Sequence, residues 1–133
     1  MSRLAILITA LMLLASASVP TNLAAGQKKD KGQEVTAKEI EIFGKDLLGK
    51  RCHMNCKFEE VSDTWVKLLL RDESFVGIYV RDSKDTLFQY AFANKKKYGR
   101  DLLKMTKGDR LCLIGTVESV ESTYVFMVEE IEK

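Results

Sequence analysis

Between Lys50 and Phe58 the chain reads KRCHMNCKF, with Cys52, His53, Met54 and Cys56 inside five residues. Thiolate and imidazole are ligands of soft and borderline metal ions, and a thiol pair can cycle between reduced and oxidised forms. Either chemistry requires the side chains to converge. On a helix Cys52 and Cys56 would be neighbours on one face, about 6 Å apart. On a strand, alternate residues point to opposite faces. The stretch divides into Cys52, Met54, Cys56 and Phe58 against Arg51, His53, Asn55 and Lys57, an apolar and a polar set without exception. That alternation predicts a half-buried strand. His53 then points away from the sulfur atoms, and Cys52 and Cys56 stand ~13 Å apart along the strand, beyond disulfide reach. The spacing is neither CxxC nor CxxCH. The sulfur reads as core packing. No metal and no cofactor is expected, and a thiol or metal protein is the least favoured reading. Cys112 is a third, odd cysteine. Its pairing with Cys52 or Cys56 stays open, although alternation in its own strand places it outward or at the barrel seam.

Enzymatic chemistry finds little else to use. His53 is the only histidine, and its strand neighbours Arg51 and Asn55 offer no carboxylate to orient the ring. No GxSxG, phosphate-binding glycine loop or HExxH occurs. Glu129, Glu130 and Glu132 alternate around Ile131 and suit solubility better than acid–base work. A non-enzymatic protein is expected.

The amino terminus, MSRLAILITALMLLASASVP, has one early cation, Arg3, then an apolar run from Leu4 to Leu14 and small residues at Ala15–Ala17. This is the pattern of a cleaved secretory leader over residues 1–17, and the run is shorter than the ~20 residues a membrane span needs. The protein is expected to be exported, to a periplasm or the medium. Residues 18–35 lack apolar periodicity and read as a flexible lead-in. Residues 36–133 are long enough for one domain with its own core. Removal of the leader takes Arg3 and leaves 20 basic against 19 acidic side chains. That balance excludes a globally basic nucleic-acid binder while allowing a local basic patch.

Further strands follow the first. In FVGIYVRD, Val76, Ile78 and Val80 alternate with Phe75, Gly77, Tyr79 and Arg81. SKD then separates this run from TLFQYAFA, so a hairpin is expected. Phe88, Tyr90 and Phe92 are expected to face the core, because the other set would bury Gln89 without a partner. Asp63–Ser74 reads as either a helical turn or a loop. Tyr98, Leu102 and Met105 form a short helical stripe ending at Gly108, an expected C-cap. RLCLIGTVESV and STYVFMVEEIE are two closing strands, with Leu111, Leu113, Gly115 and Val117 inward. Five strands with one short helix between the third and fourth predict a mainly β, OB-fold Greek-key barrel. LLGKRCHMNCKF resembles the opening strand of exported bacterial OB-fold proteins. LKMTKGDRLCLIGTV resembles their helix-to-strand passage, and YVFMVEEIE their closing strand. The resemblance covers Ala37 to Glu132; its most specific part is the Lys-Gly-Asp turn, and it departs from the pattern at Cys56, where small residues are usual. It implies a fold and a binding habit, and no catalytic residues.

OB-folds bind through the outer face of their second and third strands and the bordering loops. Alternation places Tyr79, Arg81 and Gln89 there, with Lys67, Ser122 and Tyr124 flanking from loops. Lys95, Lys96, Lys97 and Arg100 form a separate basic cluster, suited to phosphate, an anionic polysaccharide or a membrane surface, or simply to a solvated helix face. Acidic residues Asp82, Asp85, Glu118 and Glu121 are interspersed with the barrel-face candidates. The leading expectation is a binding module that recognises a polymer, peptide or protein through one barrel face. Single-stranded nucleic-acid binding and an envelope interaction or structural protein are the alternatives. Cleavage after Ala17 predicts a mature chain that begins at Ser18. Intact-mass analysis of the exported protein checks this, and a chain retaining Met1 would contradict it.

Overall fold

The computed structural model describes residues 30–133. The leader and the lead-in through residue 29 lie outside the described residues. Lys31 to Lys133 form one compact unit.

The first regular element is a two-residue strand, β1 (Gln33–Glu34), paired in parallel with Cys52 and His53. The adjoining Val35 is buried, and its N–H donates to the His53 carbonyl at 2.9 Å. The last residues of the expected lead-in are therefore pinned to the barrel.

Helix α1 (Ala37–Leu47) follows, where the sequence reading had no helix. A capping box starts it: Thr36 Oγ1 accepts from the Glu39 N–H at 3.3 Å, and Glu39 Oε1 accepts from the Thr36 N–H at 2.9 Å. Its buried face is Ala37, Ile40, Gly44 and Leu47. Gly44 lies flat against the Tyr124 ring; a Cβ there would sit 2.2 Å from Tyr124 Cγ.

The barrel comprises β2 (Arg51–Ser62), β3 (Phe75–Asp82), β4 (Leu87–Asn94), β5 (Arg110–Val120) and β6 (Thr123–Glu132), with α2 (Lys95–Leu103) between β4 and β5. β2 pairs antiparallel with β3 on one flank and β5 on the other, which closes the sheet. β4 and β6 run parallel, and β5 and β6 antiparallel. This is an OB-fold barrel. Six strands rather than five are present because β1 adds a short parallel pair to β2.

As the alternation required, Cys52, Met54, Cys56 and Phe58 are buried in the main core, with Ile78, Val80, Leu113, Val117 and Phe126. Each such large side chain removed from water contributes roughly 1.5–3 kcal/mol. A bulge after Phe58 and a second one in β4 then change the phase. Ile78 pairs with Ala91 but Val80 with Phe88, so Gln89 and Tyr90 together oppose Tyr79. The aromatics of β4 therefore do not share one face. Phe88 enters the main core together with Ala91 and Ala93, whereas Phe92 packs with Val66 and Val125 in a second cluster. That cluster exists because Asp63–Ser74 contains a π-helical turn, Val66–Leu70, which brings Trp65, Leu69 and Leu70 to the opposite side of the sheet.

Gly108 and Asp82 depart from expectation. Gly108 is not the C-cap of α2, which ends at Leu103 with Lys104 as cap. With φ +98°, Gly108 serves the turn into β5, where its N–H donates to the Phe58 carbonyl at 2.8 Å. Cys112 stays out of the main core, as does Ile114, yet both are buried. Asn55 and Glu132 flank Cys112 on the neighbouring strands, and Lys31 pairs with Glu132 at 2.8 Å beside it.

Asp82, expected among the surface acids, is buried at 5% exposure, the one charged side chain so placed among the described residues. Its Oδ2 accepts from the Ala37 N–H at 2.7 Å, and its Oδ1 from the Lys84 and Thr86 N–H groups, each at 2.9 Å. One carboxylate thus joins the first turn of α1 to the β3–β4 hairpin, where the helix dipole also favours it. Replacing Asp82 by Ala strands these donors and should lower unfolding stability by about 1–3 kcal/mol. Urea denaturation measures it; an unchanged midpoint and slope would refute the role.

Candidate functional site

The strand registers bring three cations into one row. Lys57 of β2 stands directly opposite Arg81 of β3, and on its other flank directly opposite Arg110 of β5. All three point outward, since Cys56, Phe58, Val80, Asp82 and Leu111 beside them in sequence are buried. Strands lie about 4.8 Å apart, so the row extends roughly 10 Å across the sheet. Like charges directly opposite each other weaken a sheet.

Their partners differ. Arg81 Nε lies 3.3 Å from Glu59 Oε1, and its Nη1 donates to the Asp85 carbonyl at 3.1 Å. Lys107 Nζ is 3.3 Å from the other Glu59 oxygen. Glu59 therefore serves two cations and can neutralise one. Lys57 and Arg110 are exposed, with no carboxylate within 4.0 Å among the described residues. Glu60, opposite Tyr79, tempers the patch on one side.

The other residues of the polar stripe Arg51, His53, Asn55 and Lys57 on β2 are committed to structure. Arg51 pairs with Glu129, and His53 Nδ1 lies 3.1 Å from the Gly32 carbonyl oxygen. Only Lys57 of that stripe is left to meet a ligand. Lys57 and Arg110 were not singled out as site residues by sequence reasoning, because their juxtaposition depends on register.

Next to the row, Tyr79 is half-buried opposite the Gln89–Tyr90 bulge. Tyr90 in turn stacks at a tilt on Trp65, ring centroids 5.4 Å apart, and meets Phe88 edge-on at 6.1 Å. Trp65 was not chosen as a site residue from the sequence either; its place follows from the π-helical turn. Gln89, Tyr90, Ser122 and Tyr124 line a groove of roughly 570 Å³ beside Lys38 and Glu41 of α1. Of the expected barrel-face residues, Tyr79, Arg81 and Gln89 lie on β3 and β4, whereas Tyr124 lies on β6 and Lys67 on the π-helical turn. Tyr124 spends its ring on Gly44, and Lys67 is paired with Asp63 at 3.1 Å on the π-helical turn. Lys95, Lys96 and Arg100 line a different groove, and Lys97 stands over the Tyr98 ring at 5.1 Å.

The sulfur atoms make a poor reactive centre. Cys52, Cys56 and Cys112 are free and buried. Burial pushes the Cys56 thiol up to about 12, with Cys112 and Asp82 adding to the rise. Burial raises the other two thiols as well. At neutral pH all three are held as thiols, whereas nucleophilic and metal-binding cysteine acts as thiolate.

No family model matches the chain, and no curated protein matches it in sequence. Solved structures do. The chain is similar to asparaginyl-tRNA synthetase from Pyrococcus horikoshii, at 17% identity over 75% of this chain and 22% of that one, with a TM-score of 0.55. It is also similar to a protein assigned as an aspartyl-tRNA synthetase, from Leishmania major Friedlin. There the identity is 14% over 79% of this chain and 21% of that one, with a TM-score of 0.56. The likeness is one of fold. The chain spans about a fifth of the length of either synthetase.

Proposed function

We propose that this domain is a non-enzymatic module that binds single-stranded nucleic acid across the outer face of β2, β3 and β5. The row Arg81–Lys57–Arg110 carries the proposal. Three cations are held side by side at a cost to the sheet, and two of them lack a carboxylate partner among the described residues. A strand of phosphates laid along the row supplies the missing negative charge. Tyr79, at the edge of the row, offers a ring for one base to stack on, and Gln89 offers an amide beside it.

Two considerations support this reading over an unspecified peptide or protein ligand. An OB-fold barrel offers the outer face of its second and third strands, here β3 and β4, to oligonucleotides, and Tyr79, Arg81 and Gln89 stand on those two strands, beside Lys57 and Arg110. The similar solved structures also carry tRNA in their names. Because the chain as a whole is near charge balance, affinity rests on the local row and is sensitive to salt. Export, expected from residues 1–17, is a separate proposal on which the binding reading does not depend.

Fluorescence anisotropy with a labelled oligothymidylate tests the site. Lys57→Glu with Arg110→Glu should weaken binding at least about 10-fold and flatten the dependence on log salt by about 1.4, for two phosphates each counting ~0.7. Tyr79→Ala should cost about 1–3 kcal/mol of affinity with little change in the salt slope. Absence of wild-type binding at low salt, or a double variant that binds as wild type does, would overturn the proposal.

A further inference from the structure

Helix α2 opens with Lys95, Lys96 and Lys97 and has no acidic residue in its first turn. Asn94 caps it, its Oδ1 accepting from the Lys97 N–H at 2.8 Å. Cations near a helix N-terminus oppose the macrodipole, so the fold derives no stability from placing them there. Lys95, Lys96 and Arg100 are exposed, with no carboxylate within 4.0 Å among the described residues.

These three side chains rim a groove of roughly 560 Å³ whose remaining lining is Val61 of β2, Val76 of β3, Gly99 and Leu103. Leu103 is 75% exposed, the most exposed large hydrophobic residue of those described. Gly99 keeps the helix wall low between the two charged turns. The groove therefore combines an aliphatic floor with a cationic rim that the domain leaves without counter-charge.

We infer that this groove docks an acidic amphipathic segment of a partner protein. Its carboxylates meet Lys95, Lys96 and Arg100, and an aliphatic side chain covers Val61, Val76 and Leu103. Charge complementarity selects the acidic partner. The lining selects peptide over nucleic acid, because no aromatic ring lines the groove and a base would have no stacking platform. This surface is built from residues other than those of the Arg81–Lys57–Arg110 row, so the domain would engage a strand and a partner protein through separate residues.

The test uses the full chain and a labelled synthetic peptide carrying Asp and Glu with Leu at helical spacing. A second peptide with each Leu changed to Ser is the control. Saturable binding of the Leu-containing peptide is expected, with a roughly 10-fold loss for Lys95→Glu with Lys96→Glu, for Leu103→Ser, and for the control peptide. Lys57→Glu with Arg110→Glu should leave peptide affinity unchanged, and oligothymidylate should not displace the peptide. These last two readouts separate this inference from the nucleic-acid proposal. The inference is overturned if the peptide fails to saturate, if the control binds equally well, if either set of groove variants binds as wild type does, if the row variants lose peptide binding, or if oligothymidylate competes. All substituted residues are solvent-exposed, and circular dichroism verifies that each variant remains folded.

Discussion

β2 is hydrogen-bonded on both flanks, to β3 and to β5, and this double pairing governs the rest of the molecule. It closes the sheet into a barrel and fixes which side of the strand is inside. Cys52, Met54, Cys56 and Phe58 have no alternative to the core, since a slip of one residue would expose all four and bury His53, Asn55 and Lys57. The same constraint sets the outer surface. Lys57 cannot avoid standing between Arg81 and Arg110, and the repulsion within that row follows from the register that the core demands.

A second tie holds the ends of the barrel in place. The buried carboxylate of Asp82 binds the first turn of α1 and the β3–β4 hairpin at once. α1 is thereby anchored at its start, while Gly44 accepts the Tyr124 ring further along. With both contacts made, the helix borders the groove beside Gln89 and Tyr90 rather than extending into solvent. Arg81, the residue before Asp82, is delivered to the outer face by the strand that the buried carboxylate terminates.

Much of the barrel was legible because Arg51 to Phe58 of β2 keep strict period-two patterning, which leaves little freedom in assigning faces. α1 was not. Two of its four inward positions are Ala37 and Gly44, so its apolar stripe is thin, and only the Thr36–Glu39 capping box announces it. In β4 the aromatics mislead, because one bulge at Gln89–Tyr90 reverses the phase and no glycine or proline marks the place. Asp82 reads as a surface acid until its three backbone donors, contributed by two separate segments, are brought together. Tyr79 and Arg81 could be placed by alternation within a single strand, whereas Gln89 falls in the bulge where alternation fails. Lys57 and Arg110 could not be joined to them, because their proximity is a property of strand register between segments far apart in the chain.

The central claim is that the row of like charges is where a nucleic-acid strand lies. Its most direct measurement is an NMR titration of the isotope-labelled protein with oligothymidylate, following backbone amide shifts residue by residue. The largest perturbations are expected at Lys57, Tyr79, Arg81 and Arg110, with α2 unmoved. Perturbations concentrated on Lys95–Leu103, with the row unaffected, would contradict it.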